Sequence, residues 1–253
     1  IVTLVGQAAA LAAAVGQALG TVVAGRLAAG ATAGLVGVLA LCVVGWAMWP
    51  AGLWHTLGAI AAAVVIYPLV WHLLHQYVLH GQWMYRIKWL SPTWKRIHYD
   101  HHQDPNHLEV LFGALHTTLP TIALASVPLG WLIGGPGGAF AALATGILTT
   151  CYYEFMHCIQ HLSFKPKWKW VQFMKQRHNE HHYFDEDGNY GITNYVWDRV
   201  LGTYYEKKDR PERSPTVFNL GYTEEVAAHY PWVKELSGGI ASGHPRRRAM
   251  ARD

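Results

Sequence analysis

Long apolar runs alternate with polar stretches along the chain, and the apolar runs predict membrane-spanning helices. Five runs lie near the roughly 20 residues that a helix needs to cross a bilayer, at 1–24, 29–49, 53–75, 109–133 and 138–160. The first run is too long for a signal peptide and lacks its basic front, so we interpret it as a membrane helix. Glycine- and proline-rich turns (WPAG and GGPGG) separate the runs.

Charged residues are scarce and unevenly distributed, which separates a membrane part from a water-facing part. They make up 14% of the 253 residues, whereas a soluble domain carries about 25%. Residues 1–85 contain a single formal charge, Arg26, while residues 163–253 hold 15 of the 20 Lys and Arg. If Arg26 is cytoplasmic, the five runs place every Lys and Arg in the cytoplasm, as the positive-inside rule requires.

Sixteen histidines are the outlier of the composition, and ten of them fall in four clusters. The clusters read HQYVLH (75–80), HYDHH (98–102), HCIQH (157–161) and HNEHH (178–182). The predicted topology brings all four clusters to the cytoplasmic face of the membrane. The three cysteines lack C-x-x-C spacing, so neither a disulfide framework nor a thiolate metal site is expected.

The spacing within these clusters predicts a site for two metal ions. Residues three or four apart share a face of a helix, so each His-x-x-His-His cluster can bind an ion from one turn, and adjacent histidines diverge by about 100° and can serve two ions. Imidazole binds zinc, iron, copper and nickel, and ten imidazoles suit two ions. The predicted ligands are His75, His80, His98, His101, His102, His157, His161, His178, His181 and His182.

The remaining histidines are isolated in the sequence and carry a weaker signal. A lone histidine near a helix end is more often a water-bonded side chain at the interface than a ligand. We apply this interpretation to His55, His107, His116, His229 and His244, and with less force to His72, which lies three residues before His75.

The four clusters resemble the histidine boxes of the fatty acid hydroxylase / sterol desaturase superfamily. The segment NYGITNYVWDRVLGTYY (189–205) is similar to the family's segment after its last histidines, and the similarity covers residues 65–205. The resemblance implies an integral-membrane non-haem di-metal oxygenase that inserts one atom of O2 into a C–H bond of a lipid. It implies iron as the working metal, with zinc as a substitute in a purified sample. Beyond the metal ligands, it defines no catalytic residue.

The expected fold is all-α, with about four to five transmembrane helices and a cytoplasmic helical cap that carries the histidines. We expect N-terminal membrane helices at 1–50, a catalytic domain at 51–210 and a basic cytosolic tail at 211–253. Carboxylates near the clusters are candidates to hold the ligand imidazoles, since metal-bound histidines usually donate their other N–H group. These candidates are Asp198, Glu154, Asp100 and Glu180.

Neither a dinucleotide-binding motif nor a fused haem domain is evident, so electrons are expected from a separate donor of the ferredoxin or cytochrome b5 type. No nucleic-acid partner is expected. A desaturase of the same superfamily is an alternative, since both reactions begin with hydrogen abstraction. A histidine-rich metal transporter is a second alternative, although transporters place ionisable residues near the bilayer midplane. The substrate could be an acyl chain, free or in a ceramide, a carotenoid ring or a sterol.

Overall fold

All regular structure is helical in the computed structural model, which describes residues 26–106, 115–240 and 243–244. The first half contains α1 (Arg26–Met48), α2 (Leu53–Leu74), a π-helical turn (His75–Leu79), α3 (Trp83–Arg86), α4 (Ser91–Trp94), a second π-helical turn (Lys95–Tyr99) and α5 (Asp100–Gln103). The second half contains α6 (Leu115–His161), α7 (Lys169–Tyr183), α8 (Val196–Leu201), a 3₁₀ turn (Lys207–Asp209), α9 (Glu224–His229) and α10 (Trp232–Ser237).

Two helical segments in the described residues are long and apolar enough to cross a membrane. They are Leu53–Arg86 and Thr117–His161, and only 22% and 39% of their most apolar windows are buried. Leu53, Val65 and Leu124 are between 64% and 77% exposed, so apolar side chains cover the outside of these helices. Such a surface is more favourable in lipid than in water, as expected for membrane-spanning helices. The predicted run 1–24 lies outside the described residues.

The described chain divides into two compact units. The apolar unit contains the residues up to Ala63 together with Leu115–Leu148, and the histidine unit contains Val64–Ala114 together with Thr149–Asp253. The boundaries fall inside α2 and α6.

In the apolar unit, α6 is two helical arms that meet at the predicted GGPGG turn. Gly134 and Gly135 leave the helical conformation, and Gly135 has a φ of 58°, a value that favours glycine. The arms approach closely at Gly130 and Gly138, where a Cβ on either residue would collide with the carbonyl oxygen of the other. Ala59, Ala63, Ala141 and Ala142 form a core of small residues, as membrane helices require for close packing.

In the histidine unit, an aromatic core packs the short helices together. Its buried residues are Met84, Tyr85, Trp94, Tyr99, Leu220, Tyr222, Ala227 and Val233. Tyr85 lies at its centre, with the rings of Trp94 and Tyr222 at 5.0 and 5.2 Å. Four of the eight residues lie within 211–253, the range predicted as a tail, so this part of the chain contributes half of the core that supports α3, α4 and the second π-helical turn.

Candidate metal centre

The ten histidines that were predicted to bind metal lie together in the histidine unit, as two groups of five. The first pentad is His75, His80, His98, His102 and His181, and the second pentad is His101, His157, His161, His178 and His182. Within each pentad, the possible ligand atoms all lie within 4.8 Å of one another. Nine of the ten side chains are buried, and His80 is partly buried. Each pentad therefore encloses a small volume lined by ring nitrogens.

A π-helical turn brings the first two histidines onto one face. His75 and His80 are five residues apart, a spacing that an α-helix would send to different faces. The backbone N–H of His80 instead donates to the carbonyl of His75, which closes the wider i→i+5 turn and sets the two rings 5.0 Å apart. π-Helical turns of this kind are frequent at functional sites.

Each His-x-x-His-His cluster divides its histidines between the two pentads. His98 and His102 are four residues apart and both join the first pentad, whereas His101 joins the second. In the other cluster His178 and His182 join the second pentad, and His181 joins the first. The predicted divergence of adjacent histidines is therefore present twice.

The two pentads are built on one repeated plan. Each takes a histidine pair from the end of an apolar segment, the first and last histidines of the cluster that follows, and the middle histidine of the other cluster. The sequence contains the plan twice, first in residues 75–102 and again in residues 157–182. Each half of the centre is consequently completed by one residue from the other half.

The distances between ring nitrogens fit metal coordination. Two nitrogens about 2.1 Å from one ion lie about 3.0 Å apart when adjacent and about 4.2 Å apart when opposite. In the first pentad, Nε2 of His98 lies 3.1 Å from Nε2 of His75 and 2.9 Å from Nε2 of His80. In the second, the corresponding distances are 3.1 Å for His157 and His101 and 2.8 Å for His178 and His161.

The protonation of the rings supports the same interpretation. Nδ1 of His75 lies 2.7 Å from the carbonyl oxygen of Tyr190 and must carry the proton, so Nε2 presents a lone pair to the other nitrogens of the pentad. Burial, the largest cause, and neighbouring imidazoles lower the pKa of His98, His101, His178, His181 and His182 well below its usual value, and burial lowers that of His102 to about 3. Neutral imidazole is the form that binds a metal ion, so the residues fit the metal centre that the sequence predicts.

Backbone carbonyl groups hold three rings of the first pentad. Besides the contact between His75 and Tyr190, Nδ1 of His181 donates to Gly188 at 2.7 Å, and Nδ1 of His102 donates to Val217 at 3.0 Å. Each of these bonds fixes the tautomer that leaves Nε2 for the ion.

The four candidate carboxylates occupy different environments. Asp100 binds Lys95 at 2.8 Å, and Glu180 pairs with Arg177 at 2.9 Å, so neither is hydrogen-bonded to a ligand imidazole in the described residues. Burial raises the pKa of Glu180, opposed by Arg177. Glu154 belongs to neither pentad. Asp198 is fully buried and binds the backbone of the loop that contains Tyr190 rather than a ligand directly.

The isolated histidines whose side chains the structure describes lie outside both pentads. His55 and His229 are exposed, as expected for water-bonded side chains. His244 stacks on Tyr183 at 5.3 Å, while His107 and the side chain of His116 lie outside the described residues. His72 is 2% exposed, so its interpretation as an interfacial side chain was wrong, and its Nδ1 lies 3.4 Å from Oδ2 of Asp198.

Sequence reasoning missed the carbonyl groups of Gly188, Tyr190 and Val217. Every residue has a carbonyl group, so the side-chain pattern contains no signal for the ones that face a ligand. The nearest available signal was position, since NYG (189–191) follows the last cluster within the family-like segment.

The helical fold and the two pentads define a membrane protein with a histidine-rich metal centre. The family model described as fatty acid hydroxylase matches residues 60–203, which is more than half of the chain and includes all ten histidines. The chain therefore belongs to the fatty acid hydroxylase family, as the histidine clusters predicted.

Individual relatives and one solved structure agree with this assignment. The chain is 30% identical over 149 residues to dihydroceramide fatty acyl 2-hydroxylase FAH2 of Arabidopsis thaliana, covering 57% of this chain and 59% of the relative. It is 28% identical over 148 residues to ceramide very long chain fatty acid hydroxylase SCS7 of Saccharomyces cerevisiae, covering 56% of this chain and 36% of the relative. The match thus spans less than two thirds of each relative.

The solved structure is full-length scs7p with only the hydroxylase domain visible. It matches with a TM-score of 0.61 and 23% identity, over 72% of this chain and 67% of that one. The likeness supports the fold.

Proposed function

We propose that this protein is a membrane-bound hydroxylase that uses two metal ions, O2 and an external electron donor to oxidise a fatty acyl chain. The observation that carries the proposal is the pair of buried histidine pentads, whose ring nitrogens converge within 4.8 Å of one another in a fatty acid hydroxylase family chain. Iron is the expected metal, because imidazole ligands suit it and the reaction requires a redox-active ion. When bound, the two ions would supply O2 activation and the oxidation of the C–H bond.

The protein's own residues have three tasks in this proposal. The pentads hold the ions with neutral ligands that are not consumed in the reaction. The carbonyl groups of Gly188, Tyr190 and Val217 keep three of the rings in the ligating orientation. Burial of nine of the ten histidines excludes bulk water from the reacting atoms.

The substrate class follows from the relatives. Their names describe hydroxylation of the fatty acyl chain of dihydroceramide or ceramide. An integral-membrane enzyme can receive such a lipid laterally, with the acyl chain between its helices. We therefore propose the acyl chain of a ceramide-type lipid as substrate and carbon 2 as the position oxidised, in preference to a carotenoid ring or a sterol.

The orientation in the membrane is part of the proposal. About four to five spans, counting the two arms of α6 separately, would put the polar histidine unit in the cytoplasm, since all Lys and Arg then fall on that side. The electron donor, of the ferredoxin or cytochrome b5 type, would bind this same unit.

The test is isotope incorporation by the purified protein in lipid nanodiscs. Protein reconstituted with iron is supplied with dihydroceramide, ¹⁸O₂ and a reduced donor, and the products are analysed by mass spectrometry. We expect a 2-hydroxyacyl product that contains one ¹⁸O atom. An unsaturated product without ¹⁸O would instead show that the protein is a desaturase. Labelling of a carotenoid or a sterol, without labelling of dihydroceramide, would show that the substrate belongs to that other class of lipid.

A control separates hydroxylation from a transport role. The double variant His181→Ala, His182→Ala removes one member of each pentad and should abolish product, while His229→Ala, on the exposed surface of α9, should not. Metal uptake into sealed vesicles without lipid oxidation would favour the metal transporter.

A further inference from the structure

Residues 188–192, here called the carbonyl loop, present two acceptors to the first pentad. The carbonyl oxygen of Gly188 lies 2.7 Å from Nδ1 of His181, and that of Tyr190 lies 2.7 Å from Nδ1 of His75. His75 and His181 come from different parts of the sequence, the turn after α2 and the end of α7. One short loop therefore orients two of the five rings.

Asp198 fixes the position of the carbonyl loop. Its Oδ1 accepts the backbone N–H of Tyr190 at 2.7 Å and the hydroxyl of Thr203 at 3.0 Å, and its Oδ2 accepts the backbone N–H of Gly191 at 3.0 Å. An ionised carboxylate only accepts hydrogen bonds, so a single side chain can satisfy all three donors. A Cβ on Gly191 would approach Oδ2 to 2.8 Å, which shows how closely the loop packs on the carboxylate.

His72 lies behind this carboxylate. Its Nδ1 is 3.4 Å from Oδ2 of Asp198, and the side chains are 1% and 0% exposed. The rings of His72 and Tyr190 also pack edge to face, with centroids 5.6 Å apart. A buried carboxylate is costly unless it is hydrogen-bonded or paired, so the arrangement supplies Asp198 with compensation from several directions.

Two amide side chains secure the ends of the carbonyl loop. Asn189 is fully buried, and its side chain accepts from the N–H of Tyr205 at 3.1 Å and donates to the carbonyl of Tyr205 at 3.0 Å. Gln160, between two ligands on α6, donates to the carbonyl of Ile192 at 2.8 Å. The loop therefore has little freedom to withdraw its carbonyl groups from the rings.

The carbonyl loop contacts ligands of the first pentad. The Nδ1 atoms of four second-pentad rings have no hydrogen-bond partner among the described residues; they belong to His101, His161, His178 and His182. Loss of the bonds that Asp198 makes to Tyr190 and Gly191 should accordingly reach the first ion and not the second.

We propose that Asp198 is a positioning residue for the first metal position. By holding the N–H groups of Tyr190 and Gly191, it keeps the carbonyl groups of Tyr190 and Gly188 against His75 and His181, and so fixes both rings for ligation through Nε2. The inference rests on the proposed function only in taking the pentads as metal sites. Partners of this kind typically contribute roughly 10- to 100-fold to metal affinity.

The test compares zinc release from Asp198→Asn with release from a matched control. The amide keeps the shape of the side chain but places an NH2 donor against a backbone N–H or the Thr203 hydroxyl, so at least one bond is lost. Asp209→Asn makes the same chemical change at an exposed aspartate whose Oδ2 accepts the N–H of Glu206 at 2.8 Å, away from both pentads. Protein loaded with Zn²⁺ is mixed with a chromogenic chelator, and the two release phases are timed.

Single-site backgrounds assign each phase to a pentad. His182→Ala disables the second pentad and His181→Ala disables the first, and Asp198→Asn is added to each. We expect release to become roughly 10- to 100-fold faster in the His182→Ala background. In the His181→Ala background Asp198→Asn should leave the release rate unchanged, as Asp209→Asn should in both.

A second, milder variant keeps the proposal testable if Asp198→Asn fails to fold. Thr203→Val removes only the hydroxyl that donates to Asp198 and should accelerate release from the first pentad by a smaller factor. Unchanged release in both variants, or equal acceleration of both ions, would overturn the positioning role. Wild-type protein that binds fewer than two zinc ions, or zinc binding that survives the double variant His181→Ala, His182→Ala, would instead contradict the two-metal function.

Discussion

His181 and His182 are neighbours in the sequence and members of different pentads. Their ring planes are 89° apart and their centroids 5.1 Å apart, so one turn of α7 contributes to both metal positions. The same division occurs at His101 and His102, whose planes are 85° apart. Two adjacent residues of identical chemistry thus provide a matched pair for testing each position alone.

His181→Ala and His182→Ala should each remove one ion and leave the other. Each substitution removes one of five imidazoles from a single pentad and leaves the second set intact. We expect about one metal ion per chain in each variant, measured by elemental analysis after dialysis against a weak chelator, and none in the double variant. Two ions retained in either single variant would show that four histidines suffice to bind the ion at that position. Loss of all bound metal in both single variants would contradict the existence of two separate metal positions.

Asp100→Asn should retain both ions and nearly full stability. Asp100 pairs with Lys95 on a partly exposed surface, where such ion pairs contribute about 0.2–1 kcal/mol to the free energy of unfolding. Elemental analysis and a thermal unfolding curve in detergent would check both expectations. Loss of an ion in this variant would instead support the prediction that Asp100 holds a ligand imidazole.

The histidines were predictable because their chemistry lies in the side chain and their spacing is local. The spacing predicted that His98 shares a helix face with His101 or His102, and the structure groups it with His102. His75 and His80, five residues apart, share a face only because of a π-helical turn, which no pattern in the sequence predicted. Assignment of each histidine to a pentad depended on tertiary packing, as did the contact between His102 and the carbonyl of Val217.

The apolar helices were similarly visible in the sequence, and the C-terminal region was not. The predicted runs at 29–49 and 53–75 agree with α1 and α2, and the GGPGG turn lies where α6 reverses. Residues 211–253 lie beyond the family-like segment (189–205) and are predicted as a basic tail. Only the fold shows that Tyr222 and Val233 are fully buried against Tyr85 and its neighbours.

Val233→Ala should destabilise the histidine unit. Val233 is fully buried, and loss of two buried carbon atoms costs about 0.8 kcal/mol each, with a further cost for the cavity. We expect a decrease of about 1.5–3 kcal/mol in the free energy of unfolding, measured by denaturant titration in detergent. Leu236→Ala, at a side chain that is 55% exposed, is the matched control and should change stability by about 0.5 kcal/mol or less. Equal effects would contradict the packing of α10 on the aromatic core.

Gly130→Ala and Gly135→Ala should differ in cost, because the two glycines serve different purposes. Gly135 has a φ of 58° and a ψ of −147°, a conformation that essentially only glycine adopts, with open space around its Cα, so a methyl group there adds only backbone strain of about 1–3 kcal/mol. At Gly130 the methyl group would collide with the carbonyl oxygen of Gly138, so the two arms of α6 must separate. We expect Gly130→Ala to lower the thermal unfolding temperature more than Gly135→Ala does. A larger effect at Gly135 would mean that the turn conformation, rather than the close approach of the arms, limits the stability of the hairpin.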